Sequence, residues 1–526
     1  SALRGARSAV AILMAHRDVA SWLIAIAAIV GIGESLRAQC PDGSPPPCGH
    51  AAVRAPAPNS VAVLYFDNLS RDTSDAYIAD GLTEELITRL GQIERLQVKS
   101  RTAVQRYRGR SIEDPAVLGR TLGVAHLVSG SVQQGGGRLR VTVELTRAAS
   151  GVRVWGERYE RSSDDLMTVE ADIAQAIAEG VGGRLAPAER RSLVSRPTRN
   201  AAAYDYFLRG NQFLARRTPT DARLAIEQYE DALRVDPTFT RALARIGYAY
   251  ALFLDWGWEF PGLTRDSVLA RGFAVDDRTL ALDSSAADAW MTRGYLLSAR
   301  YPRTFEGVNA AFDRAIALDP RNAEARHQYA FLLLMSGANS RARTEYERAL
   351  AIEPERPITL LSYAWERRLA GRNDQALVLV DSAVSVDSAF SYARARRSVY
   401  RLATDVPGAR ADAEAAVRLR TTDYPVEAEA ALAAAEFRGG DTLAARTRLQ
   451  DLPRVSPTLG PQATYFVAVA LTVSGDREAA LRVLERLEPR GAILWSMMRD
   501  PWFDAIRAEP RFQRLVEESR PPGALR

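Results

Sequence analysis

Apolar and small residues return at a fixed interval along the second half of this chain. Tyr346, Ala349 and Ile352 precede Glu353-Pro354, Phe312, Ala315 and Leu318 precede Asp319-Pro320, and Val380, Ala383 and Val386 precede Asp387-Ser388. The acidic markers Asp319, Glu353 and Asp387 are spaced by 34 residues. That period predicts stacked helical hairpins, because a single hairpin cannot bury its apolar face without a neighbour. The pattern begins near Ala201, with Tyr206, Gly210, Ala225, Tyr229, Ala232 and Pro237 as its first copy. Trp290, Gly294 and Phe312 form part of another, and Leu360, Ala364 and Ala376 part of a third. Weaker copies through 410–419, 427–449 and 465–487 bring the total to about eight hairpins over 201–489. Asp236 and Asp283 stand 47 residues apart, so one connection carries an insertion, placed at 255–265 with Trp256, Trp258 and Phe260. The period breaks after 490, and 490–526 is expected to cap the last apolar face.

The pattern over 59–183 is different. Val61–Phe66 is a short run of branched and aromatic residues, which predicts a buried strand. From Tyr77 to Leu96 the residues Leu82, Leu86, Ile87, Leu90 and Ile93 fall on one helical face. Gln97–Val104 reads as a second strand, and Pro115–Leu122 as a short helix opened by proline. Two further strands, Ala125–Val132 and Leu139–Leu145, are joined across Gly135-Gly136-Gly137. Glycines between two strands predict a hairpin; a phosphate cradle would instead open a helix. Val152–Tyr159 adds a strand and Leu166–Val181 a closing helix, giving a small α/β domain. The stretch 184–200, polar with Pro187 and Pro197, is expected to be a linker.

Residues 1–58 are organised around Val19–Gly33, fifteen residues without a charge, preceded by Arg4, Arg7 and Arg17. At ~1.5 Å per residue this run spans about 22 Å, short of a ~30 Å hydrocarbon core, a deficit that flanking arginines can partly cover. It is read as a retained inner-membrane anchor (about 19–36), with a cleaved export signal or a buried helix as alternatives. The basic flank predicts a cytoplasmic amino end and an extracytoplasmic bulk. Cys40 and Cys48, in a Pro/Gly-rich stretch beyond the run, are candidates for a disulfide; zinc with His50, or two free thiols, are the alternatives.

Several segments carry a family resemblance. Val61–Ser70, Tyr77–Leu86, Val98–Thr102, Leu118–Val124, Gly130-Ser131-Val132, Arg138–Val141, Trp155 and Tyr159 resemble, in order and spacing, the α/β domain of the FlgO family and of TolB-type proteins. Tyr65 and Arg71 depart from it, where proline and glycine are usual. The repeats resemble tetratricopeptide repeats. Together these resemblances imply a membrane-anchored bacterial signalling or regulatory protein. One version is a protein-binding scaffold or sensor. Another is the extracytoplasmic part of a larger protein whose cytoplasmic part, upstream of Ser1, is a Ser/Thr kinase, nucleotide cyclase or winged-helix regulator. The fold class is therefore α+β: a membrane or signal helix, a small α/β domain, then an all-α tetratricopeptide solenoid.

Composition narrows the chemistry. The 69 basic and 64 acidic residues are interspersed, so a net charge of +5 gives no footprint for nucleic acid. Lys99 is the only lysine, which excludes a phosphate-binding Gly-Lys-Ser/Thr loop. His16-Arg17-Asp18 imitates a kinase catalytic loop, but Leu23 stands where the metal-binding asparagine belongs. No Gly-x-Ser-x-Gly elbow occurs, and the four histidines, His16, His50, His126 and His327, make no metal pair. His126 is expected at a strand edge. No enzyme site, cofactor or metal is expected. Asp80, Thr83 and Glu84 are read as helix-opening residues. In tetratricopeptide arrays the residue after the small position of the first helix faces the groove. Here those residues are Asn211, Tyr295, Phe331 and Trp365, a candidate ladder for a protein or peptide partner, with packing against the next helix as the alternative.

Overall fold

The structure, a computed structural model, describes residues 56–110, 112–300, 307–419, 425–455, 459–487 and 491–521. The uncharged run Val19–Gly33, the triplet His16-Arg17-Asp18, and Cys40, Cys48 and His50 lie outside the described residues. Among the described residues, no helix is long and apolar enough to cross a membrane. From Ala57 onward the chain forms one compact unit.

The unit opens with a mixed sheet. Strand β1 (Ser60–Val63) is buried along its length, because it lies between β3 (Gln97–Val98) and β4 (His126–Gly135), parallel to both. The short β2 (Asp67–Asn68) pairs with β4 further along. Antiparallel β5 (Arg138–Arg147) and β6 (Val152–Ser162) follow, giving the order β3-β1-β4-β5-β6. Gly136 and Gly137 take φ of 59° and 72° in the β4–β5 turn, a left-handed pair that glycine adopts without steric cost.

Successive side chains point to opposite faces; one face is packed across β1, β4 and β5, and the other only at β1 and the start of β4. On one, Val61, Val63, Val128, Val141 and Val143 meet α1 (Ala76–Gly91) and α4 (Leu166–Gly182) through Leu82, Leu86, Leu90, Ile173 and Ile177. On the other, Ala62, Leu64 and Leu127 meet α2 (Arg101–Gln105) and α3 (Pro115–Leu122).

Four local expectations change. The strand expected over 97–104 stops at Val98, because Ser100 Oγ accepts from Ala103 N–H and starts α2. The strand expected over 61–66 ends at Val63, and the separate short β2 begins only at Asp67. The stretch 184–200 holds helix α5 (Pro187–Val194), whose Glu189 accepts from Ala186 N–H at 2.8 Å. His126 opens the central strand β4 instead of an edge. Asp80, Thr83 and Glu84 sit in the middle of α1. Thr83 Oγ1 accepts from Phe66 N–H at 3.1 Å, Asp80 pairs with Arg108 and Glu84 with Arg101.

Among the described residues, every element after position 200 is helical. Eight hairpins follow one another. They are α6 (Ala201–Leu214) with α7 (Pro219–Val235), α8 (Thr240–Trp256) with α9 (Arg265–Leu282), α10 (Ala287–Ser298) with α11 (Val308–Leu318), and α12 (Ala323–Met335) with α13 (Asn339–Ile352). Then come α14 (Pro357–Leu369) with α15 (Asn373–Val386), α16 (Ser391–Arg401) with α17 (Val406–Arg418), α18 (Pro425–Arg438) with α19 (Thr442–Val455), and α20 (Pro461–Val473) with α21 (Arg477–Glu485). The insertion falls between α8 and α9, where Trp258 and Phe260 pack on Phe253 at 5.6 and 4.9 Å.

Small residues allow the two helices of a hairpin to approach. A Cβ on Gly210 would lie 2.4 Å from the Tyr229 ring, and one on Gly294 would lie 2.4 Å from the Phe312 ring. First helices of neighbouring hairpins also touch each other, as α8 touches α10 and α18 touches α20, which puts them on the inner side of the stack.

Buried and half-buried polar contacts fasten the sheet domain to the array. Arg241 of α8 makes two bonds to Glu85 at 3.0 and 3.3 Å, and the Tyr204 hydroxyl donates to Glu170 at 2.9 Å. Arg89 donates to the carbonyl of Ser195 at 2.9 Å, while Leu208 fills the space beside Gly81. Further along, Arg321 donates to Leu96 O at 3.0 Å and Arg106 pairs with Glu355 at 2.9 Å.

Because the Phe312 ring occupies the space of a Cβ at 294, Gly294→Ala should cost about 1–3 kcal/mol through overpacking. Urea denaturation measures this; an unchanged midpoint would mean the helices are not in close contact there.

Candidate functional site

The inner side of the array is occupied by the chain's own carboxyl-terminal segment. Beyond α21, helix α22 (Ala492–Met498), a 3-10 turn over Pro501–Ile506 and α23 (Pro510–Ser519) follow. Instead of only capping the last hairpin, α22 reaches back to touch α12 of the fourth. All seven residues of α22 are buried.

Asp500 fixes this segment. It is fully buried and takes two bonds from Arg368 of α14, at 2.8 and 3.0 Å. The Tyr465 hydroxyl and Trp502 N–H each donate to it at 2.9 Å. The Arg368 guanidinium lies 5.0 Å from the Tyr400 ring and 5.6 Å from that of Trp502. All of the charge on Asp500 is thus met by donors, the condition for a tolerable buried carboxylate.

Between the segment and the inner helices remains a cavity of about 50 Å³. Its walls come from α12 (His327, Gln328, Phe331), α14 (Ile358, Leu361, Ser362, Trp365), α16 (Tyr392, Arg396), α20 (Gln462) and α22 (Met497), with Arg217, Asp255 and Trp256 at one side. Gln328, Ser362 and Arg396 are equivalent positions one period apart, as are Phe331 and Trp365. The repeat thus lays files of corresponding residues along one wall.

The four candidate ladder residues separate. Phe331 and Trp365 line the cavity with ring centroids 6.3 Å apart. Tyr295 is 3% exposed and packs on Phe312 at 6.3 Å, inside the array. Asn211, in the first hairpin, accepts from the Tyr229 hydroxyl at 2.8 Å. The residues that the ladder missed are Gln328, Ser362 and Arg396, three positions before Phe331, Trp365 and Val399; the same 34-residue period would have pointed to them.

Burial dominates the titration of this region. It pushes His327 down to about 3, with the Arg217 charge adding to the effect. Burial pushes Glu427 of α18 up to about 7, against the pull of Arg396. Among the described residues, no group of three or more His, Cys, Asp and Glu side chains could hold a metal ion.

Comparison with known proteins bears on the array. A tetratricopeptide-repeat family model matches residues 311–344. The array is built of tetratricopeptide repeats. Arrays of this kind typically bind peptide or protein partners. The chain is also 28% identical over 254 residues to a protein named putative adenylate cyclase 3 of Rhizobium meliloti (strain 1021), a distant homologue. That match takes in 48% of this chain and 42% of the relative, so the chain spans less than half of the relative's length. Among solved structures, a thermophilic TPR protein of Thermus thermophilus is 19% identical with a TM-score of 0.33, covering 38% of this chain and 100% of its own. Yeast Tom70 is 13% identical with a TM-score of 0.39, covering 68% of this chain and 83% of its own. At scores this low the superpositions carry no argument.

Arg368→Ala should cost about 3–5 kcal/mol, because it leaves Asp500 buried without its main counter-charge. A cost below about 1 kcal/mol in denaturant titration, the size of an exposed pair, would contradict the buried geometry. His327 gives a second test. Its unfolded value is 6.5 and its folded value about 3, so between these the unfolded chain binds the proton and the folded chain does not. Stability should fall as pH drops through that window, by up to about 1.4 kcal/mol per unit. Comparing His327→Asn with the parent at pH 7 and pH 5 should show a smaller loss in the variant; equal losses would contradict it.

Proposed function

We propose that this chain is a membrane-anchored sensor whose repeat array takes a polypeptide partner on its inner side, with the bulk of the chain outside the cytoplasm. The observation that supports the binding mode is α22. This short helix, with Ile493, Leu494, Trp495, Met497 and Met498 all buried, shows the kind of segment the inner side accommodates. The partner of this reading presents a short apolar helix, which competes with α22 for contact with Phe331 and Trp365. Aromatic and methionine side chains supply large contact area at such sites. The uncharged Val19–Gly33 run with arginines before it supports the anchored orientation. The resemblance of residues 59–183 to the FlgO and TolB-type domain supports placement just outside a membrane.

A second reading is favoured by the likeness to the putative adenylate cyclase: the chain serves as the sensory part of a nucleotide-cyclase signalling system. Export and partner choice are common to both readings.

Two measurements test the proposal. Alkaline phosphatase fused after Arg526 should be active in a bacterial host, whereas a fluorescent cytoplasmic fusion without phosphatase activity would contradict export. A photo-crosslinking residue at Phe331 should capture a polypeptide more strongly in the Asp500→Asn background than in the parent. Equal capture from Val378, 64% exposed on α15, would contradict an inner-side site.

A further inference from the structure

Two buried donors on the cavity wall lack acceptors. Arg396, 6% exposed, has Nε and Nη1 without hydrogen-bond partners, and Trp365, 5% exposed, has its indole N–H in the same state. Arg396 Nη2 donates to the Tyr392 hydroxyl. The guanidinium is otherwise surrounded by the rings of Trp365, Tyr392, Tyr465 and Phe466, at 5.1–5.7 Å from its carbon. Among the described residues it forms no ion pair with a carboxylate. Arginine cannot shed its proton, and a buried cation without a counter-charge is unfavourable.

The contrast with Arg368 is instructive. That arginine, one hairpin earlier and also ringed by aromatics, has a carboxylate, Asp500, in two-point contact. Arg396 occupies a comparable setting with no carboxylate in contact: Glu427 of α18 acts on it only through space, and open space lies beside it. Arg217 on the wall already pairs with Glu324 at 3.4 Å, which leaves Arg396 as the wall's cation without a carboxylate in contact among the described residues. Water can satisfy an N–H but supplies no charge. With about 10–15 Å³ needed per water-sized probe, the cavity has room for about four non-hydrogen atoms or slightly more. Gln462 and Met497 form its wall on the side of the carboxyl-terminal segment.

We infer that this cavity binds a small monocarboxylate of about two to four carbons, with the carboxylate accepting from Arg396 and Trp365 and the short carbon chain lying against Phe331, Leu361 and Met497. Aromatic faces hold the guanidinium in position for the anion, and the apolar wall favours an alkyl tail over a second charge. The inference is independent of the polypeptide-binding reading, since the ligand fits with α22 in its place. It names a small-molecule input for the same array.

Isothermal titration calorimetry on the full chain tests it with acetate, propionate and butyrate against acetamide, propionamide and butyramide, and against a hexapeptide with a free carboxyl end. Saturable binding of at least one acid, with no binding of its amide, is expected. Trp365→Phe keeps the ring and removes the donor, and should weaken that binding about tenfold or more. Arg396→Gln should abolish it. If that variant does not fold, as judged by its melting curve, Trp365→Phe decides alone. Equal binding of acids and amides, an unchanged affinity in Trp365→Phe, binding of the hexapeptide without the small acids, or no binding at all would overturn the inference.

Discussion

The Arg368–Asp500 ion pair is the constraint on which the inner side of the array depends. It joins side chains 132 residues apart in sequence and holds the carboxyl-terminal segment against helices of the fourth and fifth hairpins. A buried pair of this kind adds little net stability compared with well-packed apolar residues, since both charges lose their water. Its effect is on position. Only one placement of the segment brings Asp500 within reach of Arg368, the Tyr465 hydroxyl and Trp502 N–H together. The cavity wall formed by Met497 follows from that placement.

The sheet domain is tied to the same framework at two distances along the array. Near its start, Glu85, Arg89 and Glu170 contact Arg241, Ser195 and Tyr204. Further on, Leu96 and Arg106 contact Arg321 and Glu355, just before and just after the fourth hairpin. A change in the curvature of the array must therefore either break the second set or carry the sheet domain with it. Burial raises Glu170 well above the ordinary carboxyl range, reinforced by the nearby Glu85 charge, whereas at Glu85 burial is outweighed by Arg241 and Arg89, which hold that carboxyl low. The two carboxyls thus divide their roles according to which arginines face them.

The repeat was legible because its physics is local. Gly210 and Gly294 must be small where Tyr229 and Phe312 cross, and that requirement recurs at a fixed interval. The insertion was legible for the same reason, as 47 residues stand where 34 would be regular. Short capped helices were harder to read. At Ser100 and Pro187 a single cap decides between helix and extended chain, and the apolar pattern around each is too short to overrule it. The cavity was half legible. Phe331 and Trp365 came from the register, but Arg396 belongs to a basic-looking helix, SYARARRSVYR, and reads there as solvated surface. Its burial comes from Tyr465 and Phe466, two hairpins later, and no local pattern reports that contact. The partnership of Arg368 with Asp500 was hidden for the same reason.

Hydrogen–deuterium exchange on the full chain probes the seating of the carboxyl-terminal segment most directly. The account predicts that the amides of Ala492–Met498 are protected to the same degree as those of Ala323–Met335, the helix they contact, and that both lose protection together in Asp500→Asn. Exchange of Ala492–Met498 within seconds in the parent chain, while Ala323–Met335 stays protected, would contradict it.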